Sequence, residues 1–194
     1  METLVDPAVS RAKFDREVGL YQSIEREYCT RGWFLLRAVF PEVYVVFACP
    51  KVSPPIVILG ALLDFTNYDF WAPSVRLVNP FTRAPYKYAE LPTKLERNTG
   101  TAHTPAGDVP AIQALMQPGY TPDALPFLCI PGVREYHENP AHTGDSWLRR
   151  RGTGEGTLFF ILEQIAKYGT DPISGLQVEF GITQVKLGRT PPPT

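Results

Sequence analysis

The sequence predicts an α+β domain, and three observations predict it. Apolar residues recur at helical spacing through the first thirty or so positions. Short β-branched and aromatic runs, divided by prolines, follow between Trp33 and Val78. A second strongly apolar helical stretch lies near Ile161. With 194 residues and 44% hydrophobic content, the chain has the size of one compact domain carrying a large insertion.

Taken in order, residues from about Asp6 to Cys29 read as one amphipathic helix. Val9, Phe14, Val18, Tyr21, Ile24 and Tyr28 form its apolar face, and Arg31-Gly32 ends it. Trp33–Phe40, Val43–Cys49, Ile56–Leu63 and Val75–Val78 read as the four strands of an antiparallel meander. Pro41 and the group from Pro50 to Pro55 separate the first three, and the turn-rich DFTNYDFWAPS leads into the fourth. Residues from about 81 to 125 form a long insertion rich in Pro, Gly, Thr and Tyr, with one short helix expected around Ile112–Met116. An apolar run carrying Cys129 follows. Thr153–Tyr168 is then a helix with Leu158, Phe159, Ile161, Leu162, Ile165 and Ala166 on its apolar face, stopped at Gly169. Gly175–Leu187 reads as one or two strands, and the last residues, about 188–194, are a proline-rich tail.

The bulk properties exclude several classes of function. A formal net charge of -1 gives no global attraction to nucleic acid or to an anionic membrane. No apolar run approaches the eighteen or so residues that span a bilayer, and the opening METLVDPAVSRAKFDREV lacks the apolar centre of a signal peptide, so a cytoplasmic protein is expected. Three cysteines without close pairs argue against a disulfide framework and agree with a reducing compartment.

The chemistry concentrates in LPFLCIPGVREYHENPAH, Leu125 to His142. Two of the three histidines in the chain, His137 and His142, lie just downstream of Cys129, with Glu135 beside them. Pro131-Gly132 breaks the apolar run, so the thiol sits at the edge of a core with its polar partners on the following loop. Two chemistries suit such a group: a nucleophilic thiolate tuned by neighbours, or a tetrahedral zinc site with Cys129, Glu135, His137 and His142 as ligands. The two compete, because zinc on the sulfur blunts the nucleophile.

Three passages resemble the ubiquitin-conjugating enzyme fold, whose order is helix, four-strand meander, connection, cysteine loop, tryptophan, helix. They are Ile56–Pro80, with Pro73, Val75, Arg76 and Pro80 at the family's positions; LPFLCIP, which is similar to the segment bearing the thioester cysteine; and Trp147 followed by a helix. The His-Pro-Asn sequence that usually precedes the cysteine is absent, and Asn139 is the nearest candidate for its oxyanion donor. The Cys-Glu-His-His series also resembles a bacterial family described as a predicted metal-binding domain. Its members are encoded beside ubiquitin-like proteins, activating enzymes and JAB-type peptidases in operons associated with phage defence.

The resemblance implies an enzyme that receives a ubiquitin-like protein from an activating enzyme as a thioester on Cys129 and passes it to an amine on a target protein. ATP is then used by the activating enzyme, and no cofactor is required here. His137 or His142 would favour the thiolate or take the amine's proton, and Glu135 would orient whichever does so. A zinc-binding accessory protein and a non-catalytic docking module for the ubiquitin-like protein are the alternatives. The remaining candidates read as structural. Cys29 and Cys49 are small core residues, His103 lies in an exposed loop, and Arg149–Arg151 is a solvated charged segment. Tyr68, Phe70 and Trp71 pack the turn beneath the sheet, and RRGTGEGTLFF lacks the ending of a phosphate loop.

Overall fold

A computed structural model describes residues 4–119, 121, 124–175 and 177. Its first element, α1 (Pro7–Ser23), begins where Asp6 accepts the Ala8 N–H at 2.8 Å and Pro7 occupies the first turn. The single helix expected to Cys29 breaks at Ile24, whose φ of -129° leaves the helical region, and α2 (Glu25–Thr30) continues from there. Phe14, Val18, Tyr21 and Tyr28 are buried as expected, whereas Val9 and Ile24 are exposed. Ile24 sits at the break, where the helical phase that would have turned it inward is lost. Gly32 makes the turn into the sheet with φ +84°; a Cβ there would stand 2.2 Å from Ala48 O.

The four-strand antiparallel sheet runs β1 (Trp33–Val39), β2 (Glu42–Cys49), β3 (Ile56–Asp64), β4 (Ser74–Val78), in that spatial order. Its inner face buries Trp33, Val43, Val45, Phe47, Leu59 and Leu63 in the main core. The opposite face is closed more lightly by Tyr44, Val46 and Val78.

The last helix, α5 (Leu158–Ile165), packs against α1 and this core through Leu158, Ile161, Leu162 and Ile165. It starts five residues later than the sequence suggests. Gly152, Gly154 and Gly156 are poor helix formers, and Thr157 caps the start by accepting the Phe160 N–H. The buried Glu17 on α1 accepts the Leu158 N–H at 3.1 Å, which places a carboxylate at the positive end of α5. Phe159, expected on the apolar face, is exposed. Helical winding passes Gly169 in a π-turn, Ala166–Thr170, before it ends.

The insertion holds no helix at Ile112–Met116. That segment is strand: β5 (Glu96–Thr104) and β6 (Gly107–Ala114) form a hairpin, and β7 (Met116–Gln117) pairs with β8 (Phe127–Leu128). Thr99, Thr101, Val109 and Ile112 favour extended backbone, and Gly107 closes the turn with φ +116°. Between β8 and α5 lie α3 (Arg134–Glu138), a 3-10 turn (Pro140–His142) and α4 (Trp147–Arg150). Apart from Gly175 and Gln177, the strands expected over Gly175–Leu187 and the proline-rich tail fall outside the described residues. Among the described residues, no helix is long and apolar enough to cross a membrane.

Candidate functional site

Cys129 follows β8 directly, with its N–H on Leu115 O at 2.8 Å and its side chain half-buried. Burial pushes the thiol above its ordinary range, and the nearby charge of Arg97 opposes that shift. Pro131 and Gly132 then turn the chain. A Cβ on Gly132 would fall 1.7 Å from Glu155 O, so only glycine lets the segment before α5 lie against the cysteine turn.

His142 is the residue brought to the thiol. Its Nε2 stands 3.3 Å from Cys129 Sγ, and its ring stacks on Tyr136 with centroids 3.8 Å apart and planes 18° from parallel. The 3-10 turn that carries it is capped by Asn139, whose Oδ1 accepts the Ala141 N–H at 2.8 Å. Asn139 thus positions His142, and the structure gives its carboxamide oxygen that task. Tyr136 donates its hydroxyl to Asp145 at 2.9 Å. Asp145 in turn accepts from Arg150 at 2.6 Å, and Arg150 also pairs with Glu155 at 3.0 Å. Arg150 first, and then the Tyr136 hydroxyl, hold the Asp145 carboxyl below its usual range. The segment Arg149–Arg151, expected to be a solvated run, therefore contributes one structural arginine.

The other candidates face elsewhere. Glu135 does not orient a histidine: its oxygens accept from the Ser74 hydroxyl and, at 3.3 Å, from the Val75 N–H, joining α3 to β4. His137 bridges two backbone carbonyls, Pro131 O at 2.6 Å from Nε2 and Asp145 O at 2.8 Å from Nδ1. Both oxygens are acceptors, so both contacts are hydrogen bonds only when each ring nitrogen carries a proton. The four side chains Cys129, Glu135, His137 and His142 thus do not converge. Among the described residues, no three His, Cys, Asp or Glu side chains do.

Arg134 and Tyr136 contribute without a sequence signal of this site, and Trp147, read from the sequence only as a mark of the fold, joins them. Arg134 is buried. Its Nε donates to Ala72 O at 3.1 Å and its guanidinium to Thr66 O at 2.8 Å, and its backbone N–H bonds Pro73 O. It pins the turn between β3 and β4 beneath the cysteine loop. Trp147 donates Nε1–H to Asp69 O at 2.9 Å in the same turn. Tyr136 stands between Glu135 and His137 in the sequence but supplies the stacking face for His142. Tyr68 is buried in this turn as expected, while Phe70 is exposed and Trp71 half-buried. Phe70, Trp71, Glu138, His142 and Trp147 line a cleft of about 560 Å³ that opens beside the site. Burial, then the charge of Glu135, raises the Glu138 carboxyl. Cys49 is buried and Cys29 half-buried; His103 is exposed and paired with Asp108 at 2.6 Å.

Comparison with known proteins yields a family. The Y4jH family model matches residues 5–173, from before α1 to beyond α5. The chain is also similar to the uncharacterized protein y4jH of Sinorhizobium fredii (strain NBRC 101917 / NGR234), at 44% identity over 192 residues, 95% of this chain and 92% of that protein. The chain belongs to the bacterial Y4jH family.

Proposed function

For this member of the Y4jH family, we propose a ubiquitin-conjugating-like transferase that carries the C-terminal carbonyl of a ubiquitin-like protein on Cys129 and passes it to a target amine, as a part of anti-phage defence. One observation carries the reading: a half-exposed thiol at the end of a strand with an imidazole nitrogen 3.3 Å from its sulfur. The order of helix, four-strand meander, cysteine loop, tryptophan and helix supports it as fold analogy.

The chemistry follows from the shifted thiol. Burial disfavours the Cys129 thiolate, and the imidazole within reach of the sulfur supplies a base to release it. His142 Nε2 takes that proton, the sulfur attacks the donor's thioester carbonyl, and the donor leaves as its own thiol. In the second step an amine displaces Cys129, and His142 removes the proton that the nitrogen must lose. The stack on Tyr136 and the Asn139 cap hold His142 in place for both steps.

Zinc held by Cys129, Glu135, His137 and His142 is the second reading, with the Cys129–His142 approach on its side. It requires Glu135 to leave β4 and His137 to leave two carbonyls. A docking module without covalent chemistry is the third. The deciding experiment incubates the protein with ubiquitin-like and activating proteins encoded beside it, plus ATP, and compares gels with and without reductant. The expected result is an adduct that reductant removes, that Cys129→Ala abolishes and that Cys129→Ser converts to a stable oxyester. No adduct, with about one equivalent of zinc per chain released by Cys129→Ala, would replace this reading with the metal site. Binding without any adduct would favour docking.

A further inference from the structure

The β5–β6 hairpin stands outside the core, and its base differs from its body. At the base three strands lie side by side. Leu115 and Met116 donate their N–H groups to Leu95 O and Lys94 O, both at 3.0 Å, and on the other edge Met116 and Gln117 pair with Leu128 and Phe127. That third lane ends at Cys129, whose N–H bonds Leu115 O; the chain then turns away through Ile130 into Pro131 and Gly132. Farther out, among the described residues, β6 pairs with β5 alone. The thiol stands at the mouth of an open lane along β6.

The backbone groups facing that lane follow from the ladder. The bond from Leu115 N to Leu95 O fixes the phase, so the pair Gln113–Arg97 exchanges hydrogen bonds and Ile112 and Ala114 turn outward. Pro110 has the same phase as Ile112, which puts its nitrogen on the outer edge, where a strand tolerates proline. Ala114 O is occupied by Gln117 Nε2 at 2.6 Å. The N–H and C=O of Ile112 and the N–H of Ala114 are left to face the lane, and the Ile112 side chain is 55% exposed. Proline interrupts the donors at position 110, so the usable edge runs from Ala111 to Ala114.

We infer that this edge of β6 receives the extended C-terminal segment of the acyl donor as an added strand that delivers its last carbonyl to Cys129. The inference rests on the thioester reading of Cys129. β6 runs toward the cysteine, and a segment whose final carbon must reach Sγ also runs toward it, so the added strand is parallel to β6. At about 3.3 Å per residue the edge accommodates some four or five residues. In the step itself, Cys129 Sγ bonds to the donor carbonyl carbon, the donor's C–S bond breaks, and the departing thiolate takes the proton released by Cys129.

Synthetic donors test this without a natural partner. N-acetylated peptide thioesters of two and of five residues, sharing a C-terminal residue and a leaving thiol, are mixed with the whole protein. Acylation of Cys129 is followed by intact mass and located by peptide mapping. At equal sub-saturating concentration the five-residue donor is expected to react about tenfold faster. N-methylating its backbone should return it to the dipeptide's rate, and Ile112→Pro, which removes a donor from the edge, should lower the pentapeptide's rate toward that of the dipeptide. Equal rates for the dipeptide, the pentapeptide and its N-methylated form would overturn strand addition and leave the thioester chemistry standing. Acylation by none of them, with Cys129 still open to a small alkylating agent, would overturn both.

Discussion

The segment between Cys129 and Trp147 divides into two halves that treat their polar groups in opposite ways. Arg134, Glu135 and His137 bond to backbone or to β4: Ala72 O and Thr66 O for Arg134, the Ser74 hydroxyl and Val75 N–H for Glu135, Pro131 O and Asp145 O for His137. From Asn139 to His142 one ring is held by a cap and a stack, with its Nε2 toward a thiol. Two histidines five residues apart therefore differ in kind. A ring with both nitrogens bonded to carbonyls is a brace; a ring with a nitrogen on sulfur is a reagent. The comparison shows that residue type and spacing nominate a site, while the acceptors around each ring assign its task.

The largest test of the bracing half is Arg134→Ala. It removes a buried guanidinium and strands the carbonyls of Ala72 and Thr66 without donors, at about 1–3 kcal/mol each. Thermal or denaturant unfolding should show a loss of about 3 kcal/mol or more. An effect under about 0.5 kcal/mol would mean that water replaces the arginine and that α3 is not braced from beneath.

The sheet was legible because its residues carry the pattern that burial imposes. Val43, Val45 and Phe47 alternate onto the core, and Pro41 and Pro50 bound the strand. The hairpin was not, because β5 and β6 are exposed along most of both strands and no buried face imposes an alternation to read. In the candidate site the pairing of Cys129 with His142 was open to sequence reasoning, since both residue types and their short separation are visible. The true partner of Glu135 lies 61 residues away on β4. The partners of His137 are main-chain oxygens, which every residue has and which no motif marks. The helix predicted through Ile24 failed at a backbone break that its apolar periodicity does not encode.

Exchanging alanine for each histidine sharpens the comparison. His137→Ala should lower stability by about 1 kcal/mol, through the lost contacts to the half-buried Pro131 and Asp145 carbonyls, and slow the chemistry only as far as the loop loosens. His142→Ala should leave stability within about 0.5 kcal/mol and slow acylation of Cys129 by about a hundredfold, the usual scale of a lost general base. The two variants should separate on a plot of melting temperature against acylation rate. If they fall together, the division into brace and reagent is wrong.

The smallest effect concerns Arg97, which lies on the hairpin and not on the loop. Its charge opposes the upward push that burial gives the Cys129 thiol. Arg97→Gln removes that opposition, so the thiol moves further up and the pH profile of acylation shifts toward alkaline. The sign is fixed by the acid: a raised thiol pKa means less thiolate at a given pH, so the rate at pH 7 falls. In the folded protein the thiol also keeps its proton to higher pH than in the unfolded chain. The stability linked to it is thus full below the unfolded thiol's pKa, near 8.5, and is lost as pH rises through the folded value. Arg97→Gln should deepen that alkaline loss slightly. A profile unchanged by the substitution would mean that the Arg97 charge is screened by solvent, and that the hairpin acts on the cysteine through its backbone edge alone.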